Sequence, residues 1–111
     1  MAFKRTPNPT FTTKVTVNIP NDNGGFDKST FMAKFKRCSA DELQTLRESG
    51  LTNEELVRKV LVGWELKDED TGEDVPFSRA ELDAALQIAP TPLATALAFF
   101  ESVNGARSKN S

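Results

Sequence analysis

Three times in this chain a hydroxyl residue stands three positions ahead of a glutamate at the head of an apolar run. The pairs are Ser39 and Glu42, Thr52 and Glu55, and Ser78 and Glu81. Such a pair is a capping box. The hydroxyl accepts from the backbone N–H at the third helical position, and the carboxylate reaches back to the N–H of the cap residue. Two donors that every helix start leaves orphaned are thereby satisfied, so each pair predicts a helix start.

The apolar spacing behind each box agrees. Leu43 and Leu46 fall on one side of a short first helix that Gly50 can end. Leu51 and Leu56 can staple the second start, and Leu56, Val57, Val60, Leu61 and Trp64 form its stripe. The third helix begins at Ser78, with Phe77 and Leu82 at the staple positions, carries Ala85 and Leu86, and stops before Pro90. A fourth is expected with Thr91 as cap and Pro92 at the first helical position. Leu93, Ala96, Leu97, Phe100 and Val103 read as its buried stripe, and Gly105 can close it.

Ahead of the helices the period changes from 3.6 to 2. Phe11, Val15, Val17 and Ile19 point one way, and Thr12, Lys14, Thr16 and Asn18 the other. A run of turn formers, residues 20–25, follows, and then Phe31, Ala33 and Phe35 alternate with Met32, Lys34 and Lys36. This reads as an antiparallel hairpin, which is marginal in water unless its apolar face packs on something. The expected fold is α+β: an N-terminal antiparallel hairpin or small sheet packed on about four short helices. Residues 1–10, with Pro7 and Pro9, read as a flexible arm, residues 11–104 as one domain, and residues 105–111 as a flexible tail.

Composition narrows the function. At 111 residues, with 38% hydrophobic and 27% charged residues, the chain fits one globular domain. No apolar run approaches the roughly 20 residues of a membrane span. Lys4 and Arg5 are not followed by an apolar segment, so the start does not read as a secretory signal. One cysteine, Cys38, cannot make an internal disulfide. These features place the chain in a cytoplasm, with no membrane partner. The net charge of −2 hides an uneven distribution. Residues 1–37 hold seven basic and two acidic side chains, and residues 38–104 hold five basic and fourteen acidic. That polarity either marks two solvated faces or helps orient self-assembly.

Catalysis is not expected. With no His and no Tyr, the commonest general base and the Ser-His and Cys-His systems are missing. The carboxylates between Asp68 and Asp74 share one polar turn with no apolar neighbours to tune them. Read as a calcium loop from Asp68, that turn has Gly72 in the fifth position, Glu73 in the sixth and Arg79 in the twelfth, so it is not an EF-hand. Glycine-rich nucleotide motifs are absent, and no cofactor or metal is expected. Cys38 follows Lys36 and Arg37, which can favour a thiolate, but it reads better as a small residue at a strand end. Lys14, Lys34 and Lys36 share the wet hairpin face, a basic strip that can hold phosphates. Phe31 and Phe35 face the other way, so no stacking platform accompanies it, and nucleic acid is not the expected partner.

Residues 63–82, GWELKDEDTGEDVPFSRAEL, are the most distinctive stretch. Trp64 and Leu66 alternate with Glu65 and Lys67, which also suits a short half-buried strand. A polar turn follows, where Gly72 can take positive φ. Trp64 reads as a core residue sealing the junction of the second helix and this strand, or as an interface anchor where it is partly exposed.

A Gly-Trp, an acidic Asp-Glu-Asp-x-Gly turn, then Val-Pro-Phe-Ser and a Leu-rich helix resemble the tail assembly chaperones of long-tailed bacteriophages, over residues 11–104. The resemblance implies a non-enzymatic protein that binds the tape measure protein and keeps it from aggregating during tail morphogenesis. It implies contact with the tail tube protein, self-association into a homo-oligomer, residence in the host cytoplasm, and absence from the finished virion. It also implies that members are often made in a longer, frameshifted form, which an A-rich slippery run encoding Lys109 and Asn110 would allow. Centred on Trp64 to Phe77, it points to Gly63, Trp64, Pro76 and Phe77 as partner-binding residues. A structural virion component, such as a tail tube or connector subunit, is the alternative. A small nucleic-acid-binding regulator is a third reading.

Overall fold

The computed structural model describes residues 2–105. The expected tail beyond Gly105, with Arg107, Lys109 and Asn110, lies outside them. The elements in chain order are β1 (Thr10–Pro20), β2 (Phe26–Lys36), α1 (Ala40–Glu48), α2 (Asn53–Val60), β3 (Leu61–Glu65), α3 (Arg79–Leu86) and α4 (Thr91–Val103). The fold is α+β, with an antiparallel sheet in the order β1-β2-β3 and four helices. β1 and β2 pair over their whole length, from Thr10 opposite Lys36 to Pro20 opposite Phe26. The turn between them is held by Asn21, whose Oδ1 accepts from the N–H groups of Asn23 and Gly25.

The third strand begins where the sequence pattern continued a helix. Leu61 and Trp64 are three residues apart, a helical spacing, yet both face the core from β3. The cause is a bulge. Leu61 stands opposite Phe35 and Gly63 opposite Lys34, which leaves Val62 as an extra residue. The inserted residue resets the alternation, so Trp64 pairs with Ala33 on the buried side. Val62 is left 45% exposed.

The helices cover one face of the sheet. Val15, Val17, Ala33 and Phe35 meet Leu56, Val57, Val60, Leu61, Leu82, Leu86, Ala96 and Phe99 in one core. At its centre Phe35 and Phe99 meet edge to face at 5.3 Å, and Phe11 stacks on Phe99 at 6.1 Å. α4 lies against β1 and α2. Arg58 of α2 reaches Glu54 on its own helix at 3.3 Å and Asp83 on α3 at 2.6 Å, joining the two helices.

The first two capping boxes form in full. Ser39 Oγ accepts from the Glu42 N–H at 3.2 Å while Glu42 accepts from the Ser39 N–H at 2.9 Å, and Thr52 and Glu55 repeat the arrangement. The third forms by half. Ser78 Oγ accepts from the Glu81 N–H, but Glu81 makes no reciprocal bond. The fourth start differs from expectation. Thr91 is the first residue of α4 rather than its cap, Pro90 precedes it without a side-chain bond, and Pro92 comes second. Thr91 is buried against the core and is not free to turn back as a cap.

α4 is also rotated relative to the expected stripe. Thr91, Thr95, Ala96, Ala98 and Phe99 are buried, whereas Leu93 and Leu97 are 53% and 50% exposed. Ser102 continues the inward face and donates to Thr13 Oγ1 of β1 at 2.9 Å.

Candidate partner-binding surfaces

Two surfaces stand out. The first is built around Trp64. Beyond Glu65 the chain leaves the sheet and folds back on itself. Val75 N–H donates to the Leu66 carbonyl, Lys67 bridges Asp74, and Asp68 exchanges backbone bonds with Gly72 and Glu73. Asp68 Oδ1 caps the turn by accepting from the N–H groups of Asp70 and Thr71, and Gly72 takes φ of 72°. The acidic turn therefore has a local structural purpose, and its carboxylates stay exposed.

Trp64 anchors this turn to the sheet. Its Nε1–H donates to the Val75 carbonyl at 2.8 Å. Phe77 meets the indole edge to face at 4.9 Å, and Phe31 of β2 does so at 6.0 Å. Between the turn and β2 runs an open groove of about 720 Å³, with Phe31, Met32, Trp64, Leu66, Val75 and Pro76 on its walls and Lys14, Glu65 and Asp74 at its margins. Of the four partner-binding residues expected from the sequence, Trp64, Pro76 and Phe77 are thus brought together. Gly63 is not. It pairs with Lys34 on the opposite, wet face, where an added Cβ would meet the Lys34 side chain at an ordinary 3.7 Å.

β3 stops short of the end of β2. It pairs only with residues from Met32 to Phe35, so residues 26–31 of β2 have β1 on one side and no strand on the other. The groove opens along this unpaired edge.

The second surface is the outer side of α4. Leu93 and Leu97, one turn apart on the helix, are both half exposed, and Ile88 at the bend before α4 is 44% exposed. α3 and α4 turn through 105° at residues 87–90, which sets Ile88 beside the start of α4. The sequence assigned Leu93 and Leu97 to the core. The signal against that reading was present, because α4 carries apolar side chains on more sides than one helix face can bury.

The wet face of the sheet carries Lys14, Lys28, Lys34 and Lys36 at alternating positions. Cys38 is half-buried beside Lys36 and Glu42. Burial pushes its thiol pKa up, against the opposing pull of Lys36. Among the described residues no cluster of His, Cys, Asp and Glu has the arrangement of a metal site, and no single helix is long and apolar enough to cross a membrane. No protein-family model, curated protein or solved structure matches the chain.

Proposed function

We propose that this protein is a non-enzymatic tail assembly chaperone that binds the tape measure protein of a long-tailed phage and keeps it from aggregating until tail tube subunits enclose it. The observation that carries the reading is the outer face of α4. Two half-exposed leucines one turn apart on α4, with Ile88 also exposed at the bend before the helix, offer apolar surface with the spacing of a helix contact. A long helical chain with exposed apolar stripes aggregates unless they are covered, and a second stripe of the same period covers them. The resemblance of residues 63–82 supports the same reading. In this reading the protein self-associates, works in the host cytoplasm, takes no cofactor or nucleic acid, and is not retained in the virion.

Co-expression with the tape measure protein of the same genome tests it. The expected result is a soluble tape measure protein, captured with the chaperone at both low and high salt, because apolar contacts dominate. If the tape measure protein stays insoluble while DNA or RNA is retained at low salt alone, the chaperone reading is wrong, since phosphate contacts weaken steeply with salt. In that event the lysines of the wet face become the binding surface. One further observation favours a structural virion subunit as the second reading. The sheet has unpaired edges on both β1 and the end of β2, and ring-forming subunits need such edges to continue a sheet. Detection of the protein in purified virions would decide for it.

A further inference from the structure

We propose that the groove beside Trp64 receives the Phe3 segment of a second copy of this chain, which adds as a short strand to the unpaired edge of β2. Four observations meet here. Residues 26–31 of β2 present backbone donors and acceptors that no strand satisfies, a template for strand addition. The groove along that edge is walled by Phe31, Met32, Trp64 and Pro76 and is wide enough for an aromatic side chain. Phe3 is 88% exposed, the most exposed of the large apolar side chains among the described residues, and lies in a stretch without regular structure. Lys4 and Arg5 follow it and make no ion pair among the described residues, and Glu65 stands at the groove, where Asp74 is already paired with Lys67.

Chain reach favours a second copy over the same one. Arg37 fixes the root of the arm, its Nε–H donating to the Asn8 carbonyl at 2.7 Å and its backbone N–H to the Pro9 carbonyl at 2.8 Å. To lie along the free edge, residues 2–5 must sit beyond Met32, because β3 occupies the edge from Met32 to Phe35. The path along β2 from Arg37 to Phe31 is about 20 Å at 3.3 Å per residue. The residues left between Arg5 and Pro9 span at most about 14 Å. A strand of residues 2–5 therefore cannot reach the free edge of its own β2, whereas a neighbour's edge can receive it.

This inference needs no phage partner: it fails on the association and exchange results below, whereas the chaperone reading fails on an insoluble tape measure protein. The experiment is sedimentation of the purified full chain over a concentration series, paired with amide hydrogen exchange at residues 29–31. The expected result is association that Phe3→Ser weakens at least tenfold, with exchange protection at residues 29–31 rising with protein concentration in the wild type only. Phe3 is exposed, so this variant keeps the native thermal transition. Lys4→Glu with Arg5→Glu also weakens association, and adding Glu65→Lys restores part of it. A wild type that stays monomeric at high micromolar concentration overturns the proposal. So does association indifferent to Phe3→Ser, which places the contact elsewhere. Protection that depends on Phe3 at every concentration means the arm folds onto its own chain, and overturns it too.

Discussion

The indole N–H of Trp64 donates to the backbone carbonyl of Val75 at 2.8 Å, across eleven residues of chain. This bond joins the penultimate residue of β3 to the returning limb of the acidic turn, and Phe31 and Phe77 pack against the ring. The turn's other bonds described above are local, within residues 66–75. Trp64 therefore sets where the groove wall stands relative to β2.

Replacing Trp64 with Phe keeps an aromatic ring and removes the donor. The expected loss is about 1 kcal/mol, the net worth of one hydrogen bond of this kind. Thermal denaturation measures it. Amide exchange supplies the specific signature, with the Asp68 and Val75 N–H groups exchanging faster while core amides of α4 are unchanged. Uniform loss of protection across the chain would mean that Trp64 supports the whole domain rather than the turn.

Phe99 and Leu97 make the second contrast. Phe99 is fully buried between Phe35 and Phe11, and Leu97 is half exposed on the other side of the same helix. Phe99→Ala is expected to lose about 3 to 5 kcal/mol through lost burial and the cavity left behind. Leu97→Ala is expected to stay within about 0.5 kcal/mol, as a surface change does. Urea titration of both variants checks the rotation of α4. Equal losses would restore the face read from the sequence.

That rotation shows where the sequence was misleading. Leu93 and Leu97 fit one stripe, but the helix buries Thr91 and Thr95 and turns Ser102 toward β1, polar residues that a period count discards. Thr13 on β1 gives Ser102 a partner, and this pairing is tertiary, so no local pattern announces it. β3 was legible only as an ambiguity. Leu61 and Trp64 have helical spacing because a bulge inserts Val62 between them, and periodicity alone cannot tell a bulged strand from a helix end. The hairpin and the first two helix starts were legible because their signals are local: alternation, turn formers and complete capping boxes. Of the candidate site, Trp64, Pro76 and Phe77 could be named from the chain, but the groove could not. It exists because β3 ends before β2 does, and strand length mismatch appears only in the paired sheet.

Thr95 provides a third test. It is 1% exposed, and its Oγ1 has no hydrogen-bond partner among the described residues. A buried hydroxyl without a partner carries a desolvation penalty of about 1 to 3 kcal/mol. Thr95→Val keeps the branched shape and removes the penalty. The melting temperature is expected to rise by a few degrees, as roughly 1 kcal/mol does in a domain of this size. A lower melting temperature would show that the hydroxyl is satisfied in solution.

Acid should weaken the two complete capping boxes. The backbone N–H of Ser39 and then its hydroxyl hold the Glu42 carboxyl below its ordinary pKa of 4.5, and Thr52 does the same to Glu55. A depressed folded pKa means that the folded state favours the ionised carboxylate. The stabilisation is present above the unfolded value and fades as pH falls through the folded one. Thermal midpoints should therefore drop as pH is lowered below about 4.5. In Glu42→Gln with Glu55→Gln, that part of the drop should be absent, and the variant's midpoint at neutral pH should be lower than the wild type's. A double variant with the full acid dependence would assign the effect to other carboxylates.

The outer face of α4 gives the decisive variant for function. Leu93→Glu with Leu97→Glu places two charges on a surface that is already half exposed, so the folded state has little reason to object. The expected midpoint change is within about 1 kcal/mol for the pair, by the usual tolerance of surface positions. The consequence for a helical apolar partner is much larger. Each leucine removed from such a contact forfeits about 1.5 to 3 kcal/mol, and the glutamates add the desolvation of a charge. Together the two changes should weaken capture of the tape measure protein at least a hundredfold, and that protein should return to the insoluble fraction on co-expression. Wild-type solubilisation by this variant, in a protein that melts normally, would remove the outer face of α4 from the mechanism. The partner contact would then have to be sought at the groove beside Trp64.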